Sequence, residues 1–221
     1  MSTKYSTPEL RALNARMLRL FTKRLYYIIG VGIVMDKIKQ TLNSIFDFFQ
    51  GIVVFMAMLV MVYLFLFSPQ EINGQSMFPT FYDKELLITN KIIYKLKEPK
   101  RGDVVIFKSP RNKEIDYIKR VIGLPGDTIV LKNSSYYING TKLEEPYIGP
   151  TIVTSAGAFL KEGEPITVSD GMYFLSGDNR PHSSDSREFG PIPLSDFIGQ
   201  ALFRYWPVNK FWVIPSIPYG I

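Results

Sequence analysis

The 221-residue sequence has no cysteine and one histidine, His182. Without cysteine there is no disulfide scaffold, no thiolate nucleophile and no Cys-based zinc or iron–sulfur site. The absence does not fix the redox compartment, because a larger domain can live outside a cell without disulfides. A single histidine excludes a multi-histidine metal centre, and the expectation is an activity with no metal and no cofactor. Internal repeats and low-complexity linkers are also missing. The 15 prolines and 16 glycines are scattered, which excludes collagen-like structure. A hydrophobic fraction of 46% excludes a disordered chain. The length allows one ordinary domain plus something extra, or two small ones.

Charge is missing from one stretch altogether. Phe48 to Phe67, FFQGIVVFMAMLVMVYLFLF, carries none over 20 residues. A helix of that length spans ~30 Å, the thickness of a bilayer's hydrocarbon core. It reads as a transmembrane anchor over 48–67, rather than a buried core helix or a cleaved signal peptide, whose apolar region is shorter and nearer the N-terminus. Asp47 precedes it and Ser68-Pro69 ends it. Residues 1–47 hold eight Lys/Arg against three Asp/Glu, whereas residues 68–221 hold 18 against 17. The basic excess therefore precedes the anchor. By the positive-inside rule, Lys37 and Lys39, with Arg24, Lys23, Arg19 and Arg16 behind them, put the N-terminus in the cytoplasm and 68–221 outside. A nearly neutral outer domain excludes a nucleic-acid partner.

Within the basic segment, Ser6-Thr7-Pro8-Glu9 resembles a helix start. Leu10, Leu13, Met17, Leu20 and Phe21 follow at helical spacing among Arg11, Arg16, Arg19 and Lys23. The pattern suits a helix on an anionic leaflet or an ordinary solvated one. A second apolar run, Leu25–Met35, is too short to span. It is expected as an interfacial segment or a helix packed on the anchor.

Beyond residue 70 the helical period gives way to short β-branched and aromatic runs at 86–94, 103–108, 116–123, 127–132, 166–168, 172–177 and 198–206. Asn139-Gly140 within residues 135–143 is a hairpin signature. The expected fold is mainly β, an antiparallel sheet domain over 68–221 behind the helical segment and anchor. Residues 131–170, with weaker strand signals, form a possible small inserted lobe. Two glycosylation sequons, Asn133-Ser134-Ser135 and Asn139-Gly140-Thr141, matter only in a host that glycosylates. The apolar tail 211–221 suits either the membrane interface or the β core.

Three segments can carry chemistry. Asn73 to Thr80 is an irregular loop with Ser76 between glycine and proline, where a nucleophile is reachable. Asp116 to Ile122 is a strand on which Lys119 shares a face with Tyr117 and Val121, and Arg120 shares the other with Ile118 and Ile122. A lysine desolvated by such neighbours has a lowered pKa, and its neutral amine is a competent base for a serine hydroxyl. Gly177 to Arg187 is dense in turn formers and hydrogen-bonding groups directly after a strand.

Together these segments resemble the bacterial type I signal peptidases, membrane-anchored leader peptidases with a serine–lysine dyad. Ser-Met-x-Pro-Thr stands at 76–80 and Tyr-x-Lys-Arg-Val-x-Gly-x-Pro-Gly-Asp at 117–127. Gly-Asp-Asn-Arg…Ser-x-Asp-Ser-Arg stands at 177–187, and Arg101-Gly102-Asp103-Val104-Val105 supplies the remaining box. The resemblance covers roughly 48–205 and implies the β fold of that family. It implies Ser76 as nucleophile, Lys119 as general base and Ser183 as a hydrogen-bonding partner of the lysine amine. Asp178 would pair with Arg120 and Asp185 with Arg187 as scaffold. Met77 would shape the pocket before the scissile bond, and the Ser76 N–H would donate to the oxyanion. The implied substrates are exported preproteins cut after a small-x-small sequence beside the lipid bilayer. Gly74 stands where some members have a serine hydroxyl in the oxyanion hole, and Pro181-His182 where many have acidic or amide residues. A Ser76–His182–aspartate triad is the rival arrangement. A self-cleaving repressor-type protease and a non-enzymatic anchored β module are the alternatives of other classes.

Overall fold

The computed structural model describes residues 7–215, Ile217 and Tyr219. Ser6 and part of the apolar tail lie outside the described residues. The chain divides into two compact units, Met1–Met61 and Val62–Ile221.

Helix α1 runs without interruption over Thr7–Leu66. The Leu25–Met35 run is therefore not a separate helix packed on the anchor: it is an earlier stretch of the same helix. Residues 36–47, DKIKQTLNSIFD, contain neither proline nor glycine to stop the helix. Thr41, the β-branched residue in this stretch with a free hydroxyl, donates it to the Lys37 carbonyl one turn back at 2.9 Å. The side chains from Phe48 to Phe65 are exposed. So large an apolar surface is unsuited to water and fits membrane anchoring.

The helix stops at Leu66, and Phe67 begins strand β1 (Phe67–Glu71) rather than ending the anchor. Pro69 is tolerated because β1 pairs on one side only, as the edge of its sheet. That sheet runs β1, β2 (Leu86–Asn90), β11 (Phe197–Trp206), β3 (Val104–Lys108), β4 (Asp116–Gly123), β9 (Met172–Ser176), β10 (Ile192–Pro193), with β12 (Trp212–Val213) also on β11. A second sheet has the order β7 (Thr141–Lys142), β6 (Ser135–Ile138), β5 (Thr128–Lys132), β8 (Ile166–Thr167). The ladders of both sheets are antiparallel. The hairpin falls at Asn139-Gly140, both with positive φ, as a tight turn of the primed type requires.

One expected strand is cut short. Residues 86–94 give β2 only to Asn90, because the Asn90 side-chain oxygen accepts the N–H groups of Ile92 and Ile93. This local turn diverts the backbone into the short helix α2 (Ile93–Leu96). Packing ties the two sheets together. Ile122 of β4 and Phe174 of β9 share a core with Ile129, Leu131, Tyr136 and Ile138 of the second sheet. Met77, Phe81, Leu87, Val104 and Ile106 form a second core, and Val105, Phe107, Val121 and Leu175 a third. Strand β4 touches all three, so its side chains are held from both faces.

Candidate active site

Ser76 lies on the loop joining β1 to β2. The loop is closed at its base by Ile72 N–H to Glu85 C=O and Lys84 N–H to Ile72 C=O, at 2.9 and 2.8 Å. Met77 and Phe81 sink into the core beneath it. Gly74 has φ +100°, and its N–H donates to the Asp83 carboxylate at 2.6 Å. That N–H is thereby committed to the loop and is not free for a substrate.

Lys119, on β4, reaches this loop. Its Nζ is 2.7 Å from Ser76 Oγ and donates to the Ile118 carbonyl at 2.8 Å. Among the described residues no carboxylate lies within salt-bridge distance of it. The residue is only 3% exposed. Burial pushes its pKa down. The charges of Asp185 and Asp178 push it back up, Arg187 pushes it down again, and the balance leaves it at about 8. The amine is thus half neutral near pH 8, against a usual value of ~10.4.

Arg120, the next residue, faces the opposite way into two parallel bonds with Asp178, Nε to Oδ1 at 2.9 Å and Nη2 to Oδ2 at 2.7 Å. Burial by itself would lower its pKa, but the Asp178 charge and hydrogen bonds outweigh that and raise it. Thr80 donates its hydroxyl to the same carboxylate, which ties the nucleophile loop to β4. Asp185 makes the second expected pair, with Arg187 Nε and Nη2 both at 2.9 Å. Oδ2, which takes Arg187 Nη2, also accepts the Gly177 N–H and the Ser176 hydroxyl at 3.0 and 3.1 Å. Burial pushes the Asp185 carboxyl up, but the bonds to Arg187 and Gly177 hold it below the usual carboxylate range.

Two expected contacts differ. Ser183 does not bond the lysine amine: its buried Oγ has no partner among the described residues. The lysine amine is instead occupied by Ser76 and the Ile118 carbonyl. Met77 does not line the cleft. It is 1% exposed and packs below, against Ile72, Leu87 and Ile106, which do line it. The cleft over Ser76 and Lys119 has a volume of about 580 Å³. His182 sits exposed on its rim, and the serine hydroxyl's basic partner is Lys119.

Several contributors escaped the sequence reading. Asn179 donates its N–H to the Ser76 carbonyl at 3.0 Å and its side-chain Nδ2 to the Gln75 carbonyl at 2.9 Å. Arg180 is buried against Glu145, Thr154 and the Gly177 carbonyl. Gly177 admits no side chain, since a Cβ there would stand 2.2 Å from Ser183 Oγ and 2.5 Å from the Ser76 carbonyl oxygen. Asn179, Arg180, Gly177 and Thr80 lie inside the motifs noted above, so their positions were visible though their roles were not. Glu145 lies in a loop without local pattern, and only the fold brings it to Arg180.

The chain is similar to known proteins. The profile of the family "Signal peptidase, peptidase S26" matches residues 45–206. Signal peptidase I of Bacillus caldolyticus is 42% identical over 155 residues, covering 67% of this chain and 84% of the relative. Signal peptidase I of Bacillus licheniformis is 36% identical over 179 residues, covering 79% and 96%. A solved signal peptidase I from Enterococcus faecalis is 35% identical, covering 47% of this chain and 97% of its own, with a TM-score of 0.40. The profile spans well over half the chain, and the two Bacillus relatives align over most of theirs: the chain belongs to the signal peptidase family, peptidase S26.

Proposed function

We propose that this chain is a membrane-bound serine endopeptidase that removes signal peptides from exported preproteins after a small-x-small site, with Ser76 as nucleophile and Lys119 as general base. The observation that carries the reading is the 2.7 Å contact between Lys119 Nζ and Ser76 Oγ, with the lysine buried and, among the described residues, in no salt bridge. Neutral Lys119 takes the Ser76 proton as Oγ attacks the scissile carbonyl carbon. The Ser76 N–H donates to the oxyanion. Protonated Lys119 then gives its proton to the leaving amine, and an acyl-enzyme remains. Lys119 next takes a proton from water as the resulting hydroxide attacks the ester carbonyl carbon, and it gives that proton to Ser76 Oγ as the C–Oγ bond breaks and the acid product leaves. Arg120–Asp178 and Asp185–Arg187 act as scaffold.

Topology supports the substrate's path. The first half of β4, residues 116–119, is paired with β3 on one side only. Its other edge lies along the cleft, where an extended peptide can add as a strand. Glu71 of edge strand β1 also lines the cleft. Ser76 is nine residues past Phe67, at most ~30 Å of chain. A tethered enzyme and a signal peptide held in the same bilayer therefore meet at raised effective concentration. The chain crosses the membrane once, with residues 1–47 cytoplasmic and 68–221 outside.

The test is incubation of the detergent-solubilised protein with a preprotein bearing an Ala-x-Ala site, beside Ser76→Ala, Lys119→Ala and His182→Ala. Cleavage at that site, lost in the first two variants and kept in the third, is the expected result. Loss with Ser76 and His182 but not Lys119 would move the base to the histidine.

A further inference from the structure

The two peptide planes that flank the Ser76 Cα are both held from one residue, Asn179. Its side-chain Nδ2 donates to the Gln75 carbonyl at 2.9 Å, beside the Phe78 N–H that reaches the same oxygen at 3.1 Å, and its backbone N–H donates to the Ser76 carbonyl at 3.0 Å. The Gln75 carbonyl and the Ser76 N–H belong to the same planar, trans peptide unit and point in opposite directions. Holding the oxygen at one end therefore aims the hydrogen at the other. Among the described residues that N–H has no protein acceptor, and it is the donor assigned to the oxyanion. Gly74, two residues earlier, brings no hydroxyl, and its N–H is spent on Asp83. The direction of the Ser76 N–H therefore carries more of the oxyanion's stabilisation than it would beside a second donor.

The anchor of this clamp is rigid. Asn179 is 7% exposed and follows Asp178, which Arg120 and Thr80 hold in place. Arg120 is in turn the covalent neighbour of Lys119. One continuous frame thus fixes the base and the oxyanion donor relative to each other. We propose that Asn179 is a positioning residue that orients the Ser76 N–H toward the oxyanion. The proposal rests on the serine–lysine reading above.

Asn179→Ala and the near-isosteric Asn179→Asp both remove the Nδ2 donor while leaving the backbone N–H in place. They are compared with wild type and Lys119→Ala on the detergent-solubilised full chain, per folded molecule. Loss or misaim of one oxyanion donor lowers turnover by up to about 10²–10³-fold. The expected result is a fall of about 10- to 100-fold in kcat with KM nearly unchanged and the alkaline rise of activity still centred near pH 8. A peptide boronate, which forms a tetrahedral anionic adduct on Ser76, loses affinity by the same factor. An uncleavable peptide with proline after the cleavage site binds as before. Equal losses for the boronate and the uncleavable peptide would overturn the proposal, as would full turnover in folded Asn179→Asp. Should Asn179→Ala not fold, Asn179→Asp and Asn179→Ser carry the same comparison. A wild type that cleaves nothing, or a Lys119→Ala variant that cleaves normally, would instead remove the serine–lysine reading and leave this comparison without its premise.

Discussion

On one face of β4, Lys119 is buried beside a hydroxyl and a carbonyl; on the other, its neighbour Arg120 is buried against a carboxylate. The two are equally hidden, at 3% and 2% exposure. Their fates differ because of what meets them. Arg120 finds two parallel hydrogen bonds and an opposite charge, and it stays a permanent cation. Lys119 finds no ion-pair partner among the described residues, so the cost of burial falls on its charged form and its pKa drops to about 8. Burial alone does not make a base. Burial without a counter-charge does, and one strand supplies both outcomes within two consecutive residues.

Lys119→Met is the sharpest way to break this pairing of neighbours. It removes the base while filling its volume, and turnover on an Ala-x-Ala preprotein is expected to fall by at least about 10⁴-fold, as loss of a dyad member does in serine hydrolases. Arg120→Met cuts the other face and leaves the Asp178 carboxylate buried and unpaired. Breaking a buried pair in this way costs about 3–5 kcal/mol, which lowers the melting temperature in detergent by on the order of 10 °C. An Arg120→Met protein as stable as wild type would show that Asp178 is not held as the geometry implies.

The third effect has the opposite sign. Lys119 has a folded pKa below its unfolded value, so the unfolded chain binds the extra proton. The destabilisation is fully present below pH 8 and is relieved between 8 and 10.5. Lys119→Met is therefore expected to be more stable than wild type by about 3 kcal/mol at pH 7, with the gap closing as pH rises through that window. Denaturant curves of the two proteins at pH 7 and pH 10 measure it, and a gap that does not shrink contradicts the desolvated lysine. Gly177→Ala comes next, at about 1–3 kcal/mol, because its Cβ collides with Ser183 Oγ and the Ser76 carbonyl. Its loss is expected in cleavage rate as well as melting temperature. The smallest effect belongs to His182→Ala. The side chain is exposed on the cleft rim, so cleavage and the activity rise near pH 8 should stay within about twofold of wild type. A shift of that rise would implicate the histidine.

Much of this was legible in the linear sequence because the signals are local. The uncharged run at 48–67, the Asn139-Gly140 hairpin and the β4 alternation need no distant partner to be read. The two motif carboxylates and their arginines also meet as expected. Other features were out of reach. Residues 86–94 read as one strand, yet a side-chain hydrogen bond at Asn90 ends it early. Leu25–Met35 reads as a separate segment, yet the following residues carry no stop, and the helix continues. Glu145 meets Arg180 across 35 residues of chain with no pattern to announce it.

Composition and order therefore determined the chemistry available: a serine in a turn, a lysine on a strand, no thiol, no multi-histidine centre and an apolar helix ahead of a β domain. Those properties follow from side-chain type and from spacing along the backbone. Tertiary structure decided which groups meet and in what state. Whether a buried cation is neutralised or paired depends on what lies within 3 Å of it, and here those neighbours arrive from loops and strands far away in the chain. The aim of the Ser76 N–H, the missing Ser183 contact and the pKa of Lys119 are all consequences of that packing.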